Sequence, residues 1–351
     1  MKKVLLASTA LVALTGAAAA EISIKGYAEM GIAGGDRYDD STTTIVEDDA
    51  TFWQDFTITI DASGETDAGM GFGMHIEFEE SNGATATNGS ASYDNESVFI
   101  SGSWGKLTLG ETDGALDKVN TEVALAGGSI ADDETEHAGY NGGSGFDGSH
   151  DNQILRYDYS MGAFMFSASL EQANNGYAGT ASPSTAVGDD NVAVGVKYSG
   201  MVGGIDMSAS LAFQSGSIPS GATTVAQNGD ITAVSLAADF GNGFEAAVNW
   251  SEADWDALDV LGGTGSESDV EHIGVGVAYV SGPLTVAANY GEYDVDGGIV
   301  GDADGYGLVI NYDLGGGAVV HFGYGAGDET VDTAGTAEKI ESWSLGLSMG
   351  F

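Results

Sequence analysis

Residues 341–351 read ESWSLGLSMGF, and their side chains separate by parity: Trp343, Leu345, Leu347, Met349 and Phe351 on one face, Ser342, Ser344, Gly346, Ser348 and Gly350 on the other. Period two is the repeat of a β-strand, whose successive side chains point to opposite sides; a helix would mix the two sets. Residues 22–32 repeat the pattern, with Ile22, Ile24, Ala28, Met30 and Ile32 alternating with Ser23, Lys25, Tyr27, Glu29 and Gly31. Both ends of this stretch of chain therefore read as strands.

Between them the same pattern predicts fourteen further segments of about ten residues, the length a tilted strand needs to cross a bilayer. They lie near 52–62, 70–80, 95–103, 105–111, 152–161, 163–172, 190–199, 204–214, 230–240, 243–252, 270–280, 284–293, 304–313 and 318–327. Several have one wholly apolar face, such as Phe72, Met74, Ile76 and Phe78, or Ile273, Val275, Val277 and Tyr279. The opposite faces hold His75, Glu77, Glu79, Lys197, His272, Asn311 and Asp313. A soluble sandwich would show the same alternation, so period alone does not separate it from a membrane barrel.

The connections do. Long ones (34–51, 81–94, 112–151, 173–189, 215–229, 253–269, 294–303, 328–338) alternate with short ones (63–69, near 105, 162, 200–203, 241–242, 281–283, 314–317). One end of a membrane barrel carries long outer loops and the other short periplasmic turns, which produces this asymmetry. Tyr157, Tyr159, Tyr198, Tyr279, Tyr290, Tyr312 and Phe351 fall near strand ends on the apolar face, where interfacial aromatic girdles belong. The prediction is an all-β fold: a transmembrane antiparallel β-barrel of about sixteen strands.

Residues 1–20, MKKVLLASTALVALTGAAAA, carry Lys2 and Lys3, an apolar stretch and a run of alanines before Glu21. This three-part pattern predicts a secretory signal peptide cleaved after Ala20, leaving residues 21–351 as a single barrel domain. Without Lys2 and Lys3, 7 of the 9 Lys+Arg remain against 53 Asp+Glu, a net charge of −46. Binding nucleic acid needs a cationic face, so that partner is excluded. Ordered alternation in a chain that is 42% hydrophobic argues against disorder. With no cysteine, neither disulfides nor thiolate metal sites contribute.

At this point the residues resemble a known family, the general diffusion porins of alphaproteobacteria. The resemblance lies in GYAEMGI (26–32), in ESVFISGSWGKLTLGETDGALD (96–117) and in the closing SLGLSMGF, and it extends over essentially the whole mature chain. It implies a sixteen-stranded trimeric barrel in the outer membrane, among lipid and lipopolysaccharide, with the third long loop folded into the lumen. It also implies a channel rather than an enzyme.

The longest connection, 112–151, contains a short helical pattern over 114–125 and then an acidic run; loops this long are usually functional or disordered. If it folds inward as the family's third loop does, Asp113, Asp117, Glu122, Asp132, Asp133, Glu134 and Glu136 are the candidates for one side of a constriction. A solvated outer run is the alternative. The opposite side would draw on the cations of lumen-facing parity, Lys25, Lys106, Arg156 and Lys197. Such residues cost little in a wet lumen and much against lipid. Together the two sides would set a transverse field on diffusing small hydrophilic solutes, and the carboxylate excess predicts cation preference.

No cofactor is required by this reading. Acidic pairs in the outer loops, among them Asp39-Asp40, Asp48-Asp49 and Asp189-Asp190, are oxygen-rich candidates for calcium, with hydrated surface acids as the alternative. A single GGSGFD at 142–147 matches the start of a calcium β-roll repeat, which works only in tandem. His75, His137, His150, His272 and His321 show no metal spacing and no catalytic set. An adhesin using the long loops, or an enzyme with a nucleophile at the rim, remain the competing classes.

Overall fold

The computed structural model describes residues 21–39, 44–80, 91–150, 152–173, 188–220, 225–256, 259–260, 263–264, 267–297, 302–330 and 337–351. The segment predicted as a signal peptide lies outside them, as does Asp40; the side chains of Asp39, Asp48 and Asp49, three of the calcium candidates, are likewise not described.

The first half of the chain builds β1 (Glu21–Asp39), β2 (Thr44–Glu65), β3 (Gly71–Glu80), β4 (Ala91–Gly102), β5 (Gly105–Gly110), α1 (Ala115–Val119), β6 (Ile154–Met161), β7 (Phe164–Glu171) and β8 (Asn191–Val202). The second half builds β9 (Ile205–Ser220), β10 (Val225–Asp239), β11 (Phe244–Trp255), β12 (Asp259–Val260), β13 (Gly263–Thr264), β14 (Ser268–Ser281), β15 (Leu284–Gly297), β16 (Ala303–Gly315), β17 (Ala318–Thr330) and β18 (Ala337–Gly350). Sixteen of these strands, all but β12 and β13, form one closed antiparallel barrel in which each strand pairs with its chain neighbour and β18 returns to β1. β12 and β13 are a small separate hairpin in the connection after β11.

Closure is made by the alternating segment 341–351. β18 pairs with β1 from Tyr27↔Gly350 to Asp36↔Glu341. The Phe351 amide adds a hydrogen bond of 2.8 Å to the Gly26 carbonyl, and the Gly26 amide returns one of 3.3 Å. A closed barrel leaves no unpaired edge, which a membrane would not tolerate.

The predicted faces are realised inside out relative to a soluble protein. Phe52 is 87% exposed, and Ile24, Met30, Val194, Leu211, Val277 and Leu345 also face outward with large exposed areas. Ser210, Ser235, Asn289, Asn311, Ser342, Ser344 and Ser348 are buried, all at lumen-facing parity. Apolar side chains gain nothing by exposure to water, so this exterior is built for hydrocarbon. Aromatic pairs mark its margin at the short-turn end: Trp104 stacks on Tyr157, Phe164 meets Tyr198, and Phe244 lies 4.5 Å from Tyr279, centroid to centroid.

Two differences from the sequence reading concern boundaries. β1, β2, β9 and β10 run several residues beyond the apolar alternation, into stretches whose composition reads as loop. Ladder hydrogen bonds are made by the backbone, so a hairpin can continue past the lipid with polar side chains. The helical pattern over 114–125 yields only the five residues of α1, because the following residues turn to follow the barrel wall.

Candidate pore constriction

Residues 111–150, between β5 and β6, fold into the barrel and line its inner wall. The seat is apolar at one end: Ala115, Leu116, Val119 and Phe146 of the loop pack on Ala193, Ala212, Ile231 and Ala233 of the wall. At the other end Ile130 and Ala131 pack on Ala33 and Trp53, and between them Leu125 and Ala126 lie on Ala278, Ala287 and Val309. Wall amides hold the loop backbone: Asn289 donates to the Glu134 carbonyl (2.9 Å), and Asn311 donates to those of Ala126 and Gly128 (3.0 Å each). The His272 Nε2–H donates to the Gly139 carbonyl at 2.9 Å.

Glycine sets how close the loop can come. Gly274, Gly291, Gly305 and Gly327 lie in register across four adjacent strands, β14 to β17, and make a trough along the lumen side. A Cβ on Gly291 would collide with the Gly139 carbonyl, and one on Gly305 would sit 2.6 Å from His137 Nδ1. Gly307 and Gly325 likewise underlie Glu134 and Asp133. The small face that the strand period displays is thus a berth for another backbone.

The acidic candidates divide between the two sides of the loop. Asp113, Glu122, Asp132 and Glu136 are exposed, and Asp117 is half-buried. Asp133 and Glu134 correct the expectation: both point into the wall and line no open space. Asp133 is 0% exposed and accepts from the Ser129 hydroxyl (3.0 Å) and from Ser344 of β18; Glu134 accepts from the Ser129 amide (3.1 Å). The three consecutive acids 132–134 on a turning loop cannot all face one way, and composition does not reveal which two turn back.

The cations divide as well. Arg156 reaches the lumen side, yet its side chain is only 5% exposed. Its guanidinium lies 3.0 Å from Asp158 and 3.7 Å from Asp113, and donates to the Thr112 hydroxyl and the Asp113 carbonyl. It is a clamp on the start of the loop, and its charge is spent there. Lys197 is half-buried beneath the loop, 3.4 Å from the Asn120 carbonyl. Lys25 pairs with Asp61 at 3.0 Å, and Lys106 holds its ammonium 4.4 Å from the centre of the Phe99 ring.

Several residues of the site carry no distinguishing mark in the sequence. Lys118, on α1, sits 3.5 Å from Asp113. On the wall not covered by the loop, His75 Nδ1 is 2.7 Å from Asp61 and its Nε2 3.4 Å from Glu77, which also accepts from Thr59 at 3.1 Å. Parity places His75 and Glu77 on the polar face; only the position of the loop leaves them open to the lumen.

Burial and mutual repulsion hold several of the loop carboxyls above their ordinary range. Burial, then the neighbouring Asp113, Asp147 and Glu122, push the Asp117 carboxyl up to about 7. Burial likewise pushes Asp147 up to about 6, although it accepts from the Gly114 amide (2.6 Å) and from Gln214 (2.9 Å). Asp132 and Glu134 are raised for the same leading reason, and burial lowers His137. Among the described residues no group of three or more His, Cys, Asp or Glu is arranged to hold a metal ion. Asp190 accepts from the Ala173 amide at 2.8 Å, and the Asp189 carbonyl accepts from the Ser217 hydroxyl at 2.9 Å.

A closed sixteen-stranded cylinder with an apolar exterior, a polar lumen and a charged loop laid along its inner wall is an outer-membrane channel. The chain belongs to the Gram-negative porin family, whose model matches residues 7–333. It is 28% identical over 309 residues to a porin of Rhodobacter capsulatus, a match covering 86% of this chain and 92% of that one. Among solved structures, a porin refined at 1.8 Å resolution superposes with a TM-score of 0.69 at 24% identity, covering 94% of this chain and 100% of its own. A variant of the Rhodopseudomonas blastica porin superposes with a TM-score of 0.61 at 19% identity, with the same coverage.

Proposed function

We propose that the chain forms a water-filled, cation-preferring pore for passive diffusion of small hydrophilic solutes, assembled as a homotrimer among outer-membrane lipid and lipopolysaccharide. One observation carries the ion preference. Lys25, Lys118 and Arg156 each have a carboxylate within 4 Å, whereas Asp117, Glu122 and Asp132 have no ion-pair partner among the described residues. Three of the five cations near the aperture are thus neutralised, while Glu122, with Asp132 and Asp117 once they ionise, keeps its charge unpaired. A mobile cation therefore finds a favourable potential at the narrowest section, while an anion meets repulsion only partly relieved by Lys106 and Lys197.

The exposed loop acids on one side and the Lys25–Asp61–His75–Glu77 group on the other set a field across the path. Polar solutes can orient in it, and apolar ones lose hydration with no return. The calcium-binding role of outer-loop acids such as Asp48, Asp49, Asp189 and Asp190 is retained as a proposal about counterions: crowded carboxylates attract divalent cations. The test of the main reading is a reversal potential measured across a planar bilayer under a potassium chloride gradient. A potential of the sign that favours potassium supports it; one that favours chloride refutes it.

A further inference from the structure

We propose that the cavity between loop residues 140–145 and the walls of β10, β11, β14 and β15 binds a neutral polyhydroxylated solute, a sugar or polyol, beside the constriction. This rests on the reading of the chain as a pore and names a solute class for it. The cavity has a volume of about 360 Å³ and is lined by Asn120, Tyr140, Asn141, Ser251, Trp255 and Tyr293 among others. Ligand pockets begin at roughly 300 Å³, the scale of a mono- or disaccharide.

Charge is the first argument. In a chain with 53 Asp+Glu, no Asp, Glu, Lys or Arg lines this cavity. The lining instead pairs aromatic faces with amides and hydroxyls, which suits a ring that is apolar on its C–H faces and polar at its edge. The rings are held in place beforehand. Tyr293 lies tilted against His272, centroids 4.5 Å apart, and donates to the Tyr140 carbonyl at 3.2 Å, while Trp255 packs against Phe146 at 5.1 Å.

Unmet hydrogen bonding is the second. Asn249 and His272 are 3% and 1% exposed, yet Asn249 Oδ1 and His272 Nδ1 have no partner, and neither has Asn120 Oδ1. His272 donates through Nε2, so in the neutral ring Nδ1 is an acceptor. Buried polar atoms are normally satisfied, and these three acceptors belong to residues that line the cavity, so its wall is short of donors. Hydroxyl groups supply donors without charge. A phosphate or carboxylate would bring only acceptors and would meet Glu122, which accepts from the Tyr140 hydroxyl.

The test uses the full-length porin in planar bilayers and in detergent. Glucose and maltose are expected to reduce single-channel conductance saturably, beyond the reduction by a polyethylene glycol of matched size. In detergent they should change tryptophan fluorescence with the same midpoint. Asn141→Ala should weaken that midpoint about tenfold while leaving sugar-free conductance and reversal potential unchanged; Trp255→Ala should weaken it at least as much, and Trp255→Phe, which keeps a ring against Phe146, should restore most of it. Conductance with no saturable sugar effect, or variants that bind as the parent does, would overturn the subsite alone. A saturable fluorescence response from a protein that never conducts would overturn the pore reading and leave the subsite standing.

Discussion

Asp117 is the residue on which the electrostatics of the pore can be read most directly. Its carboxyl titrates near 7 because burial and three neighbouring acids oppose its charge. It is neutral well below that pH and charged above it, so the cation-to-anion permeability ratio should rise as pH climbs through about 7. Asp117→Asn should flatten that rise and lower the ratio at pH 8 by about twofold, the weight of one nearby charge in a wet lumen. The same shift acts on the fold. A carboxyl raised above its ordinary value of 3.8 contributes stability that is whole below that value and lost as pH rises through about 7. Asp133 behaves differently, since it is committed to Ser129 and Ser344. Asp133→Ala should leave those hydroxyls without their acceptor, cost about 1–3 kcal/mol locally, and appear as increased open-channel current noise with little change in reversal potential.

At the level of elements, each strand serves two solvents at once, and the two faces should answer differently to the same substitution. Val275 faces outward near the middle of β14. Val275→Arg should destabilise the barrel by about 2–4 kcal/mol, measured by urea unfolding in lipid vesicles. Thr59→Lys, on the uncovered lumen wall beside Glu77, should change stability by less than about 0.5 kcal/mol. The glycine trough gives a third prediction. Gly291→Val would drive a side chain into the Gly139 carbonyl and lift the loop from β15 and β16, so the channel should admit larger solutes in liposome swelling while still inserting as a barrel.

For the molecule as a whole, closure between β1 and β18 is what turns a curved sheet into a pore. Deleting Phe351 removes the two hydrogen bonds to Gly26 that extend that seam. It should cost about 1–3 kcal/mol and reduce the yield of heat-resistant, folded barrel on cold gel electrophoresis. The inverted distribution of polarity follows from the same closure: with lipid outside and water inside, the apolar Leu345 is exposed and Ser344, adjacent in sequence, is buried. Crosslinking of the purified protein that stops at three copies would support the proposed trimer, and a ladder ending at one copy would refute it.

Strand number, strand faces and the alternation of long and short connections were all legible in the amino-acid order. They depend on period two and on turn residues, which are local properties. The ends of β2 and β9 were not legible, because a backbone ladder needs no side-chain alternation to continue. Nor could composition tell Asp132, open to the lumen, from Asp133, turned into the wall one position later. That distinction is made by Ser344, 211 residues away, and by a berth of glycines drawn from four strands. The sequence by itself determined the cylinder and which side of it is wet. Only the tertiary structure decided where the loop lies and which charges it presents, because close contact between distant backbones is a property of the closed barrel and of no single segment.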